Sequence, residues 1–158
     1  MGIQENLTHQ LLIRPYQSED LEAIVQLWYN TWHETFPHLQ HPHLSTEWKR
    51  RFLDELIPLG SIWTAEIEGE IAGFMVIFKR KSFIDQLFVD RRYQSHGIGA
   101  KLLGHAKSLH PQGLRLYTLR ENTRARAFYE RNGFTAGKLS VNAFNGQPNV
   151  EYIWKPKQ

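Results

Sequence analysis

Six residues, Gln94-Ser95-His96-Gly97-Ile98-Gly99, carry the sharpest chemical signal in this 158-residue chain. They follow a β-favouring apolar run, Phe83 to Val89, and lead into a segment whose apolar residues Ile98, Leu102, Leu103 and Ala106 fall at helical spacing. A loop that opens a helix presents unpaired backbone N–H groups and a partial positive charge. Gly97 and Gly99 carry no side chains, so an anion can approach those groups closely. Each such dipole–anion contact is worth roughly 0.3–1 kcal/mol at an exposed site. Arg91, Arg92 and Lys101 add long-range attraction. The spelling excludes two common phosphate loops. There is no GxxxxGK followed by Ser or Thr, and Ala100-Lys101-Leu102 replaces the third glycine of GxGxxG. On these residues alone, a glycine-softened helix start without a ligand stays open beside a diphosphate site.

The elements that must position this loop are legible around it. Gln10 to Arg14 reads as a strand ended by Pro15, and Ser18-Glu19-Asp20 offers a helix cap. Leu21, Ile24, Val25, Trp28 and Trp32 then follow at helical spacing until Pro37. A His- and Pro-containing loop leads to a second helix near Thr46 to Leu56. Ser61 to Glu66 and Glu70 to Phe78 flank Gly69 as a hairpin, and Lys79-Arg80-Lys81 forms a basic turn before Phe83. Beyond the glycine loop come a helix ending before Pro111, a strand from Leu114 to Leu119, and a helix from Asn122 to Asn132 stopped by Gly133. Two last strands, Ala136 to Val141 and Val150 to Trp154, flank an Asn145-Gly146 turn. The order β-α-α-β-β-β-α-β-α-β-β predicts a single α/β (α+β) domain, spanning 1–158, with helices covering a mixed sheet.

Composition narrows the classes of function. Apolar residues make up 41% of the chain and run through its whole length, which fits one core-forming domain. The net charge of +3 is too small to argue for nucleic acid and suits a small anionic ligand. There are no cysteines, so a disulfide scaffold, a Cys zinc site and a Cys nucleophile are excluded. His38, His41 and His43 fit no zinc spacing, and no metal is expected. No apolar run approaches the ~18 residues of a membrane span, and Met1 to Gln10 lacks the order of a signal peptide. A cytoplasmic protein without membrane or nucleic-acid partners is the expectation.

A second motif turns the anion site into a specific one. Asn122, Ala125, Phe128, Tyr129, Gly133 and Phe134 fit the pattern N-x-x-A-x-x-F-Y-x-x-x-G-F. Upstream, Gln94, Gly97 and Gly99 fit a Gln or Arg, two residues, Gly, one residue, then Gly or Ala, after a strand ending Leu87-Phe88-Val89-Asp90. Together, in this order and spacing, the two segments resemble the GNAT superfamily of acetyl-CoA-dependent N-acetyltransferases. The resemblance extends from Leu11 to Trp154 and is sharpest from Ile84 to Phe134. It implies a mostly antiparallel sheet of about seven strands with about four helices.

The resemblance also implies roles. The backbone of Leu87, Phe88 and Val89 would pair with the pantetheine arm of acetyl-CoA as an added strand would. Backbone N–H groups of Gln94, Ser95, His96, Gly97, Ile98, Gly99 and Ala100 would hold the pyrophosphate. Asn122 would contact the arm, with Ala125 on the same helix face, and Tyr129 would face the thioester sulfur. A phenol with a reference pKa of ~10, above the ~8.5 of a thiol, stays protonated and can donate to the leaving thiolate. A backbone N–H of the Leu87 to Val89 strand would meet the oxyanion.

An acceptor amine with a reference pKa of ~10.4 needs a base. Asp85 is the first candidate, two residues before Leu87 and expected on its face. Glu34 and Glu121 are weaker ones, and many relatives use a water chain. The acceptor pocket falls to the first two helices, with Trp32, His33, Phe36 and Asp85 as lining. Trp28 and Trp32 read equally well as core. Two alternatives stay in view: a non-catalytic acyl-CoA-binding module, and transfer of a longer acyl group. Pairing of exposed C-terminal strands would make a homodimer.

Overall fold

The computed structural model describes residues 10–39, 45–143 and 145–157. His41, Pro42, His43 and Phe144 lie outside these described residues. The chain runs β1 (Leu11–Pro15), α1 (Leu21–Thr35), α2 (Ser45–Arg51), β2 (Gly60–Ile67), β3 (Glu70–Phe78), β4 (Phe83–Val89), α3 (Ile98–Leu109), β5 (Leu114–Leu119), α4 (Thr123–Arg131), β6 (Thr135–Val141) and β7 (Pro148–Trp154). The seven strands form one sheet in the order β1-β2-β3-β4-β5-β7-β6. Every neighbouring pair is antiparallel except β4 and β5.

Each face of the sheet carries its own core. On one face α1 and α2 bury Ile24, Trp28, Trp48 and Phe52 against Phe74 and Val76. On the other, α3 and α4 bury Leu102, Leu103, Ala106 and Tyr129 against Met75, Ile77, Leu116 and Tyr152. Strand β3 supplies both layers by alternation, which is why Phe74 to Ile77 reads as a continuous apolar run. No helix among the described residues is long and apolar enough to cross a membrane.

Most expected elements form, with local differences. Glu68 (φ 50°) and Gly69 (φ 83°) turn the β2–β3 hairpin, a pair of left-handed residues that matches the twist of the flanking strands. The second helix is not uniform: after Arg51 it widens to π-helical turns over Phe52–Leu56, so that Ile57 N–H donates to the Phe52 carbonyl. The apolar spacing that suggested a plain helix does not separate i+4 from i+5 bonding.

Strand β1 is tied to the entry of α1 by Arg14. Its guanidinium donates to both carboxylate oxygens of Asp20, at 2.7 and 2.9 Å. The Gln17 N–H donates to the same carboxylate at 2.8 Å. Arg14, through these bonds, lowers the Asp20 carboxyl below its ordinary value, against the opposing effect of burial. The stabilisation is therefore present above the unfolded-state value of ~3.9 and is lost as the pH falls through the lower folded value. Asp20→Asn is expected to cost about 2–4 kcal/mol in denaturant unfolding at pH 7. The gap to wild type should narrow as the pH is lowered from ~5 to ~3.

Candidate active site

β4 and β5 are paired only at Phe83↔Arg115 and Ile84↔Leu116. Directly after Ile84, Gln86 pairs with Val76 while Ile84 pairs with Ile77, so Asp85 is the extra residue of a β-bulge. A bulge bends its strand, and β4 leaves β5 at this point. The result is a cleft of about 1080 Å³ between the parted strands. One end is closed by the glycine loop and α4, the other by α1, α2 and the β6–β7 loop.

The glycine loop has the geometry its residues suggested. Gly97 is the N-cap of α3 at φ 81° and offers no side-chain cap, and Lys101 N–H is bonded back to the Gly97 carbonyl at 3.1 Å. The N–H groups of Ile98, Gly99 and Ala100 precede that bond and have no intrahelical partner. The two glycines do different work. A side chain at Gly97 would meet no atom within 4 Å but would strain the left-handed backbone. A Cβ on Gly99 would lie 3.1 Å from the Phe128 ring, so this glycine lets α3 and α4 close together. The Gln94 amide donates to the Val89 carbonyl at 3.0 Å and fixes the loop to the strand end. His96 Nδ1 lies 2.8 Å from the Gln94 carbonyl, a contact that needs the proton on Nδ1. Its ring is not part of the cleft lining, whereas Gln94, Ser95, Gly97, Ile98, Gly99 and Ala100 are.

Across the cleft, Asn122 caps α4 by accepting the Ala125 N–H at 3.2 Å. This uses the side-chain oxygen and leaves the amide NH₂ for the cleft. Tyr129 is 9% exposed, and its hydroxyl has no hydrogen-bond partner among the described residues. Burial raises the phenol above its ordinary value, so it stays protonated at any working pH. Leu87, Phe88, Val89 and Ala125 complete this part of the lining.

Arg124 is a neighbour that the sequence reading left without a role. From the first turn of α4 its guanidinium donates to Ser95 Oγ at 3.1 Å, which brings a fixed positive charge to the glycine loop. Its place two residues after the cap is the only sequence signal for this.

The acceptor side differs more from expectation. Asp85 does not share the face of Leu87. Leu87 packs with the α3–α4 core, whereas Asp85 lies 3.7 Å from Arg51 of α2. The bulge is the cause: two residues, not one, separate Ile84 from Leu87 on their common face. Asp85 also accepts from the Gln86 amide at 3.0 Å, and burial, only partly offset by Gln86 and Arg51, raises its carboxyl above the usual range. Trp28 is core, 3% exposed, although its edge reaches the cleft. Trp32 and Phe36 line the cleft, but His33 does not. Its ring lies tilted against Tyr29 with centroids 4.1 Å apart, and its Nδ1 meets the Tyr29 carbonyl at 2.7 Å. Glu34 is part of the cleft lining, and Glu121 meets His38 at 2.9 Å across it.

With this arrangement in view, comparison with known proteins is decisive. The sequence matches the Acetyltransferase (GNAT) family over residues 21–134. The chain belongs to this acetyltransferase family. It is 28% identical over 148 residues to the peptidyl-lysine N-acetyltransferase YjaB of Salmonella typhimurium, covering 91% of each chain. To YjaB of Escherichia coli it is 29% identical over 150 residues, covering 89% of this chain and 96% of that one. The solution structure of apo YjaB from Escherichia coli superimposes with a TM-score of 0.75 at 25% identity, over 93% of this chain and 99% of that one. The PaiA N-acetyltransferase of Thermoplasma acidophilum, solved in complex with coenzyme A, has the same fold. Its TM-score is 0.72 at 22% identity, over 92% of this chain and 98% of that one. This GNAT acetyltransferase is thus a distant homologue of YjaB, in a family that uses acetyl-CoA.

If the glycine loop of this acetyltransferase grips the diphosphate, Gly97→Val should weaken acetyl-CoA binding about tenfold or more, because a β-branched residue resists φ near 81°. Titration calorimetry against acetyl-CoA checks this, and an unchanged affinity would exclude the loop.

Proposed function

We propose that this chain transfers the acetyl group of acetyl-CoA to a primary amine, with a lysine side chain as acceptor, by direct attack. The observation that carries the reading is Tyr129: a buried phenol, unpartnered among the described residues, in the wall of a cleft that is also lined by an uncapped helix start. The peptidyl-lysine activity named for the YjaB relatives supports the choice of acceptor. The first-turn N–H groups of α3, with Arg124 beside them, hold the diphosphate. The edge of β4 that β5 leaves free pairs with the pantetheine arm, and Asn122 offers it an amide donor.

Asp85 takes a proton from the incoming ammonium, directly or through water, on the α1–α2 side of the sheet. The neutral nitrogen attacks the thioester carbon, and a strand N–H near Leu87 to Val89 receives the developing oxyanion. The carbon–sulfur bond breaks, and Tyr129 gives its proton to the sulfur. The attacking nitrogen gives its second proton to solvent as the amide forms, CoA leaves as the free thiol, and solvent returns the proton from Asp85 to Tyr129. Each of these transfers contributes on the order of 10²–10⁴ in rate when the group is well placed.

With acetyl-CoA and Nα-acetyl-lysine amide, followed by thiol release, Tyr129→Phe should lower kcat about 100-fold or more while acetyl-CoA still binds. Unchanged turnover in that variant would remove Tyr129 from the chemistry. A base must be ionised to act, and burial raises the Asp85 carboxyl. Wild-type kcat should therefore fall with decreasing pH already above the ordinary carboxylate value of ~3.9. Asp85→Asn should be slower and lack that limb; an identical pH profile would assign the base elsewhere.

A further inference from the structure

Asn149 is the first buried residue of β7 and has no place in the chemistry above. It is 9% exposed, yet its carboxamide has no hydrogen-bond partner among the described residues. The amide is thus free of bonds to the described residues and available to a ligand that fills the space before it. Neither amide atom is sealed in the protein, and the residue is part of the cleft lining.

Strand alternation fixes the side on which it lies. Val150 and Tyr152 pack into the α3–α4 core, so Asn149 points to the opposite face, the one that Asp85 also occupies. In the sheet, Asn149 stands between Leu119 of β5 and Ser140 of β6. The loop that follows β6 is braced beside it: Asn142 accepts the Asn145 N–H at 3.2 Å, and Asn145 accepts the Gln147 N–H at 2.9 Å. The amide therefore sits on a rigid strand start, beside a loop held by its own side chains, at the acceptor end of the cleft.

We infer that Asn149 recognises the acceptor by pairing with an amide group of its main chain. A carboxamide offers one acceptor and one donor edge, and it is complementary to another amide and indifferent to a bare alkyl chain. The inference deepens the acceptor reading given above and rests on it: the substrate is an amine that carries a neighbouring peptide group, not a simple alkylamine. Asn149 is a specificity residue and does not touch the reacting atoms.

The test compares two acceptors with the same ammonium but different backbones, Nα-acetyl-lysine methylamide and n-pentylamine, in wild type and in Asn149→Leu. Wild type should prefer the lysine derivative by about tenfold in kcat/KM, through KM rather than kcat. In Asn149→Leu the ratio should approach one. Acetyl-CoA affinity should match wild type, and the thermal midpoint should not fall, because the amide has no hydrogen bond to the described residues to lose. Asn149→Ala, which adds no volume, should show the same collapse of the ratio. A preference retained in both variants would overturn the assignment. So would a lowered thermal midpoint with equal losses on both amines, since that is the mark of a structural bond. A wild type that binds acetyl-CoA but does not favour the amide-bearing amine also overturns it. Failure to bind acetyl-CoA would instead overturn the function on which it rests.

Discussion

Two rungs of parallel ladder, at Phe83 and Ile84, are all that join β4 to β5, and the cleft exists because there is no third. The constraint is local. Asp85 is an extra residue in β4, the strand bends there, and the backbone beyond it has a partner on the β3 side alone. The joined end is clamped by side chains, with Phe83 against Tyr117 at 5.4 Å and the Arg115 guanidinium 6.0 Å above the Phe83 ring. Beyond that clamp the free edge of β4, the start of α3 and the cap of α4 all face one space. The same bulge sets the two faces apart: it leaves Leu87 with the α3–α4 core and turns Asp85 toward α2.

This division lets one cleft hold groups of opposite need. The α3–α4 side combines unpaired N–H groups and the Arg124 charge at one end with a neutral phenol in an apolar wall. The α1–α2 side has carboxylates at Glu34, Asp85 and Glu121 among aromatic rings. On the proposed function, this division would draw an anionic donor and a cationic acceptor to different parts of the cleft before they meet.

Much of the fold was legible because its signals are local. Gly69 marked the first hairpin, Pro111 and Gly133 marked helix ends, and the alternation or 3.6-residue spacing of apolar side chains gave the elements between them. The glycine loop and the Asn122 segment were legible for the same reason, since a helix start and its cap are defined by a few consecutive residues. What was not legible depends on pairing between distant strands. Nothing in the residue types of Asp85-Gln86 distinguishes a bulge from regular alternation, so the face of Asp85 was misassigned. Arg124 and Asn149 gain their meaning only from Ser95 and from an open cleft, neither of which is a sequence neighbour. His33, chosen for its position at the end of a helix, is held instead by Tyr29 one turn earlier.

The contact between Gly99 and Phe128 has a consequence for how such proteins diversify. The glycine loop and α4 are mechanically one part, because the Phe128 ring on one fills the space left by the missing side chain at Gly99 on the other. Neither can be exchanged with a relative's version unless its counterpart travels with it. Recombination within 97–128 would split this unit, whereas an exchange outside it leaves the contact between Gly99 and Phe128 intact. Sequence can then vary toward the two ends of the chain while this middle is inherited as one unit.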